Sequence, residues 1–390
     1  MRRLLLLVCS VVCVETIFFA ALAPLLPHYA DELDLSKTGA GLLTAAYAIG
    51  GIAAAIPAGL LAVRLGVKAT VLIGMALMSA ASVAFGFAES EWMLDVTRAG
   101  QGAGAAVSWT GGLAWLVAAS PRERRGELLG VAMGCAVAGA LLGPLLGGIA
   151  VVVGPEPAFS GIAVLGLAVA AWAWMTPALP PSGRQPLRAL FAAVPRPQVA
   201  GGLWLLTLPA LLFGVLAVLA PLRLDELGFG AVAIGAVWLV AAGLEAIASP
   251  FLGRWSDRSG RLAPVRAGLI ASIAVSLVLP WIGEGRTLAA LVVAAGIAYG
   301  VFWVPGMALL SDGIEAAGLD HGLGFGLMNL GWAPGHIVGA AAGGALGDAA
   351  GDVVPYFALA GVCLLTLAAI ERRASLLPIG RRQEEAVEPG

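Results

Sequence analysis

Apolar residues run along this chain in blocks long enough to cross a bilayer. With a window of about 20 residues, the blocks predict twelve spans, near residues 4–28, 39–62, 69–88, 93–119, 127–152, 157–177, 200–221, 230–252, 263–282, 287–310, 322–346 and 353–370. The stretch TPALPPSGRQPLRALFAAVPRPQV, residues 176–199, is rich in Pro and Arg and weakly apolar, so it reads as a linker between two bundles. The expected fold class is an all-α membrane protein: one six-helix bundle over 1–178, a linker over 179–199, a second six-helix bundle over 200–374 and a polar tail over 375–390. The start, MRRLLLLVCSVVCV, has the basic and apolar parts of a signal peptide. Its apolar run continues through Glu15 to Tyr29 without a small-residue cleavage site, which predicts a first transmembrane helix instead.

Charge adds the orientation. Arg2, Arg3, Arg64, Lys68, Arg122, Arg124, Arg125, Arg184, Arg188, Arg196, Arg254, Arg258, Arg261, Arg266, Arg372, Arg373, Arg381 and Arg382 fall on one side, and only Lys37, Arg223 and Arg286 fall opposite. The positive-inside bias therefore predicts cytoplasmic termini in a multi-pass protein of the inner (plasma) membrane. The loop with Asp312, Glu315 and Asp320 carries no Lys or Arg, but acidic residues weigh little in that rule. Composition agrees with a lipid-facing surface: 60% of residues are apolar, 12% are charged and the mean hydropathy is +0.94, against about 45–50% and 25% for soluble domains. Cys9, Cys13, Cys135 and Cys363 sit inside apolar runs without metal spacing and read as reduced packing residues.

Landmarks recur at a nearly constant offset. Ala23-Pro24 with Asp31-Glu32-Leu33 returns as Ala220-Pro221 with Asp225-Glu226-Leu227, the acidic triplet displaced by 194 residues. The turn Gly59 to Gly66 returns as Gly253 to Gly260, again at 194, and Gly139, Gly143, Gly147 and Gly148 return as Gly335, Gly339, Gly343 and Gly344 at 196. Six spans is an even number, so the halves share one orientation and form a parallel repeat.

The motifs carry a resemblance. Gly253-Arg254-Trp255-Ser256-Asp257-Arg258-Ser259-Gly260-Arg261 resembles the G-x-x-x-D-R-x-G-R/K turn of the major facilitator superfamily. Its glycines permit a tight turn, its Asp can cap the next helix, and its basic residues suit an anionic interface. The first half keeps Gly59, Arg64 and Gly66, with Val63 in the Asp position. Gly130, Gly139, Gly143-Pro144 and Gly147-Gly148 are similar to the G-x8-G-x3-G-P-x2-G-G pattern of its proton-coupled antiporters. Small residues four apart let helices approach closely, and Pro144 permits a bend. Glu15, nine positions before Pro24 of Pro24-x-x-Pro27, resembles the drug:proton antiporters and most closely the vesicular monoamine transporter type. Pro305-Gly306-Met307, ending in Asp312, is similar to the same group; Asn329 stands where that group has another Asp. The resemblance implies the major facilitator fold, with the first, fourth, seventh and tenth helices lining a cavity.

Charges inside spans are the candidates for mechanism, because they are costly there and normally face a cavity. Glu15 lies about 16 Å along the first helix, near mid-bilayer, as a candidate proton carrier or anchor for a cationic substrate. Arg98, Gln101, Ala105 and Trp109 share one face of the fourth helix. Arg98 is expected to approach Glu15, either as a static pair or, the favoured reading, as a pair that a proton or substrate can separate. Glu245 lies mid-span in the eighth helix, and Asn329, Trp332 and His336 share a face of the eleventh. Tyr299, Trp303 and Met307 form a stripe on the tenth, either an aromatic cavity wall for a flat or cationic ligand or core packing.

The expected function is secondary transport: proton-coupled efflux of a small hydrophobic or cationic compound by alternating access, in the manner of a multidrug antiporter. The alternative is an uncoupled or symporting metabolite carrier, and a membrane sensor or enzyme on the same scaffold is third. The sequence contains no H-E-x-x-H, no G-x-S-x-G and no P-loop, so no enzyme is expected. No cofactor or metal is expected either, the drive being a proton gradient if transport is coupled. Expected partners are a small-molecule substrate, protons and the lipid bilayer, with no nucleic acid and a monomeric state.

Overall fold

A computed structural model describes residues 1–121, 124–178, 192–318 and 321–376, apart from the side chains of 125, 126, 257, 321–326 and 373–376. The twelve crossings are Arg2–Ala20 with Leu22–Glu32, Lys37–Arg64, Val67–Gly86, Glu91–Ala119, Arg125–Val153, Pro155–Met175, Pro197–Glu226, Ala231–Ser259, Leu262–Val278, Gly285–Gly300 with Trp303–Ala316, His321–Ala350 and Val353–Leu376. Eleven of them are long and apolar enough to span by their described residues. The expected linker lies outside the described residues as far as 191, and the tail from 377 onward does too.

Two spans are broken rather than continuous. In the first, Pro24 returns no N–H to the Ala20 carbonyl, and the helix interrupts at Ala21. In the tenth, Pro305 does the same to Val301, and the interruption falls at Val301–Phe302. The repeated turns end on Gly66 and Gly260, with φ of +85° and +78°, a left-handed conformation that glycine adopts without strain.

Packing repeats with the sequence. Gly139, Gly143 and Gly147 lie on the first-span backbone at Cys13, Ile17 and Ala21; Gly335, Gly339 and Gly343 lie on the seventh at Thr207, Leu211 and Val215. Those partners are themselves 194 residues apart. Contacts between halves follow the same rule: Gly41 meets Ala340 as Gly235 meets Pro144, and Gly344 meets Lys37 as Gly148 meets Ala231. These seams all lie at the end opposite the chain termini. At the terminal end Gly59, Gly130 and Gly134 have nothing near the place of a Cβ, and Ile56, Val131 and Ile247 are exposed. The halves therefore meet at one end and stand apart at the other.

The contrast among these glycines sets a test. A Cβ at Gly143 would lie 2.9 Å from the Ile17 oxygen, so Gly143→Leu is expected to cost about 1–3 kcal/mol by overpacking. Gly130→Leu, in open space, should stay within about 0.5 kcal/mol of wild type. Thermal unfolding in one detergent reads both, and equal losses would show that this interface yields.

An ionic latch closes the seam between the second and eleventh spans. Lys37 Nζ lies 2.5 Å from Asp352 Oδ1, and Asp348 accepts the Lys37 N–H at 2.9 Å, the Thr38 N–H at 2.7 Å and the Thr38 hydroxyl at 2.5 Å. An acid from one half thus caps the helix that opens in the other. Asp348 lies beyond the 322–346 apolar stretch. Burial alone would raise its pKa, but hydrogen bonds from Thr38, Ser36 and Lys37 outweigh burial and hold it below the ordinary value. A depressed carboxyl contributes stability that is present above its free pKa of about 3.9 and lost as pH falls through the lowered value. Spin-label distances across this seam should be constant near neutrality and lengthen in acid. Asp348→Ala should lengthen them at pH 7, at a cost of about 1 kcal/mol.

Candidate functional site

The break in the first span creates the site. A helix end leaves its last carbonyls without intrahelical donors and carries partial negative charge. Arg98, fully buried on the fourth span, answers both: Nη1 donates to the Phe18 carbonyl at 2.8 Å and Nη2 to the Phe19 carbonyl at 2.6 Å. Nη1 also donates to Gln101 Oε1 at 2.8 Å, and Gln101 Nε2 donates to Ser82 Oγ at 3.3 Å. The guanidinium lies 4.8 Å over the Tyr47 ring, a desolvated cation–π contact.

Glu15 is 1% exposed, and one of its oxygens accepts the Ser108 hydroxyl while the other has no partner among the described residues. The expected Glu15–Arg98 pair is not made. The first and fourth spans run antiparallel, and Glu15 is level with Ser108. Arg98 lies ten residues before Ser108, about 15 Å along the helix at 1.5 Å per residue. Arg98 is engaged by the break instead.

From Arg98 an aromatic chain crosses to the other half. Tyr47 leads to Phe19 at 5.1 Å, and Phe19 to Trp332 at 5.3 Å and His336 at 5.4 Å. Trp332 and His336 stack at 5.1 Å and 14°. Arg98 Nε, Trp109 Nε1 and His336 Nε2 join the second Glu15 oxygen as buried atoms without a partner among the described residues. Asn329, half-buried, precedes Trp332 on the same span.

Other candidates fall elsewhere. Tyr299 does not line a wall: it is fully buried, bonds Ser276 at 2.8 Å and meets Phe213 edge-on at 5.8 Å. Trp303 and Met307 pack instead against a cluster with Leu206, Leu310 and Leu327. The break at Val301–Phe302 divides the expected stripe. Glu245 lies against Gly300 on the tenth span. Arg64 and Arg258 are exposed, Gly253 lies beside Val304, Arg261 pairs with Asp312 at 2.6 Å, and the Asp257 side chain is outside the described residues. The pair to Asp312 is a surface contact and adds little stability.

Two crevices lie away from this chemistry. One of about 300 Å³ between the fifth and eighth spans is lined by Pro144, Gly148, Ile149, Val232 and Gly235 among others; the other, about 320 Å³, lies among Phe251, Arg254, Trp255, Arg258 and Ser259. Ser108, Ser82 and Tyr47 were not singled out by the sequence, although Ser108 stands one heptad after Gln101 on the same face.

Comparison with known proteins agrees with this architecture. The chain is 34% identical over 126 residues to an uncharacterized MFS-type transporter of Schizosaccharomyces pombe, a match covering 31% of this chain and 28% of that one. Its fold is similar to a bacterial homolog of the human lysosomal transporter Spinster in an inward-facing and unoccupied conformation, with a TM-score of 0.70 at 16% identity over 94% of this chain and 96% of that one. It is equally similar to a D-xylose–proton symporter, with a TM-score of 0.71 at 13% identity and the same coverage. A sequence model described as Major Facilitator Superfamily matches residues 8–319 and 203–388. With two six-span bundles related by a parallel repeat, the chain belongs to the major facilitator superfamily.

Proposed function

We propose that the chain is a proton-coupled exporter of small hydrophobic or cationic compounds, with Glu15 as the proton carrier. The observation that carries this reading is the Glu15 carboxyl itself, buried mid-span beside Ser108 with no basic partner among the described residues. An ionised carboxylate in that place lacks a counter-charge, so a proton or a cationic substrate is the partner it accepts. With the termini in the cytoplasm of a cell whose inner membrane holds the chain, the separated end faces inward. The likeness to an inward-facing Spinster homolog supports that assignment.

A second reading has its own support. Arg98, Gln101, Trp109 and His336 give the centre more hydrogen-bonding groups than a purely hydrophobic cargo uses, and one similar fold is a D-xylose–proton symporter. Purified protein in proteoliposomes with an entrapped pH indicator separates the two. A lipophilic cation such as tetraphenylphosphonium should exchange against protons. Proton movement in the same direction as a neutral polar metabolite would replace export by symport.

A further inference from the structure

The two broken spans receive opposite treatment. In the first half the carbonyl end of the break holds a cation, the Arg98 guanidinium. In the second half the corresponding end, the last residue of Gly285–Gly300, meets an acid: a Cβ at Gly300 would lie 2.5 Å from Glu245 Oε1 and 2.6 Å from its Cδ. The absence of a side chain at Gly300 is what lets the carboxyl lie on the backbone there. No hydrogen bond or ion pair to that carboxyl occurs among the described residues; Ser249 bonds only the Glu245 main-chain oxygen, at 2.8 Å.

A carboxylate set against the negative end of a helix is repelled by it. The Val301 carbonyl, which Pro305 leaves without its helical donor, adds a further oxygen to the same break. Oxygen ligands, a negative charge and a half-helix C-terminus are the elements by which broken membrane helices hold monovalent cations. The repeat shows that this arrangement is peculiar to the second half: the first-half equivalent of Glu245, 194 residues earlier, is Gly51.

We infer that Glu245 and the Gly300 break form a binding site for a monovalent cation, separate from the Glu15–Arg98 centre and independent of the direction of transport. The cation can be an inorganic ion or the ammonium group of an organic molecule, since both satisfy a carboxylate and a carbonyl end.

Thermal unfolding of the full chain in nanodiscs tests this at pH 7.5, with N-methylglucamine chloride holding ionic strength constant. Titration with sodium, potassium or methylammonium should give a saturable rise in Tm, of about 3 °C at a hundredfold excess over Kd. A response to sodium or potassium identifies the inorganic ion, and a response to methylammonium alone identifies the organic source. Glu245→Gln should abolish the rise, and Gly300→Ala, which displaces the carboxyl, should raise the half-saturating concentration at least tenfold. Glu245→Asp, retaining charge on a shorter arm, should keep a weakened response if Glu245→Gln does not fold. A wild-type Tm that follows glucamine for all three cations, or a rise that survives Glu245→Gln, overturns the proposal.

Discussion

Arg98→Lys is expected to abolish transport and to lower thermal stability sharply, despite conserving the charge. The guanidinium holds the Phe18 and Phe19 carbonyls and Gln101 in one plane while lying over Tyr47. An ammonium is a point donor on a shorter reach and cannot reproduce that fork. Leaving two of these buried acceptors unpaired costs about 1–3 kcal/mol each. Loss of the cap also frees the two halves of the first span to move against each other, which disturbs both Glu15 and Phe19. Unfolding in detergent and uptake into proteoliposomes read the two effects separately. A Tm within a degree of wild type would show that the break holds its shape without the cap.

Glu15→Gln should give the opposite pattern: a protein that inserts and unfolds normally but has lost transport driven by a pH gradient. The amide keeps the volume and still accepts the Ser108 hydroxyl, yet cannot exchange a proton. Substrate exchange at equal pH should survive, because no net proton movement is required. Glu15 and Arg98 make no direct contact, but both depend on the first-span break, so their stability losses should depart from additivity by more than about 0.5 kcal/mol in the double variant. Their transport losses should not add if both act on one proton-dependent step. Full gradient-driven transport by Glu15→Gln would remove it as the carrier and move attention to His336.

The spans, the repeat and the candidate acids were legible because each is written in side chains: apolar blocks, glycine spacings, and charges where lipid tolerates few. The breaks were not: both spans were expected to be continuous, and Pro57, Pro144 and Pro250 lie inside helices that stay whole, so a proline alone does not announce a break. What those breaks do was not legible, because the partners of Arg98 are main-chain carbonyls, which leave no pattern in sequence. The expected pair with Glu15 is not made in this structure for a related reason. Span boundaries place both residues inside the membrane, but antiparallel helices separate them once Glu15 is level with Ser108. The stripe Tyr299, Trp303 and Met307 was continuous on an ideal helix and lost its continuity at Val301–Phe302.

The closed end is sealed by two seams of unlike material. Between the second and eleventh spans the seam carries Lys37, Thr38, Asp348 and Asp352; between the fifth and eighth it is Pro144, Gly148, Val232 and Gly235, without a charged group. Electrolyte screens the first and leaves the second untouched, whereas cooling weakens only water-excluded apolar contact. A single closure therefore answers to two external variables, and salt and temperature each loosen a different side of it.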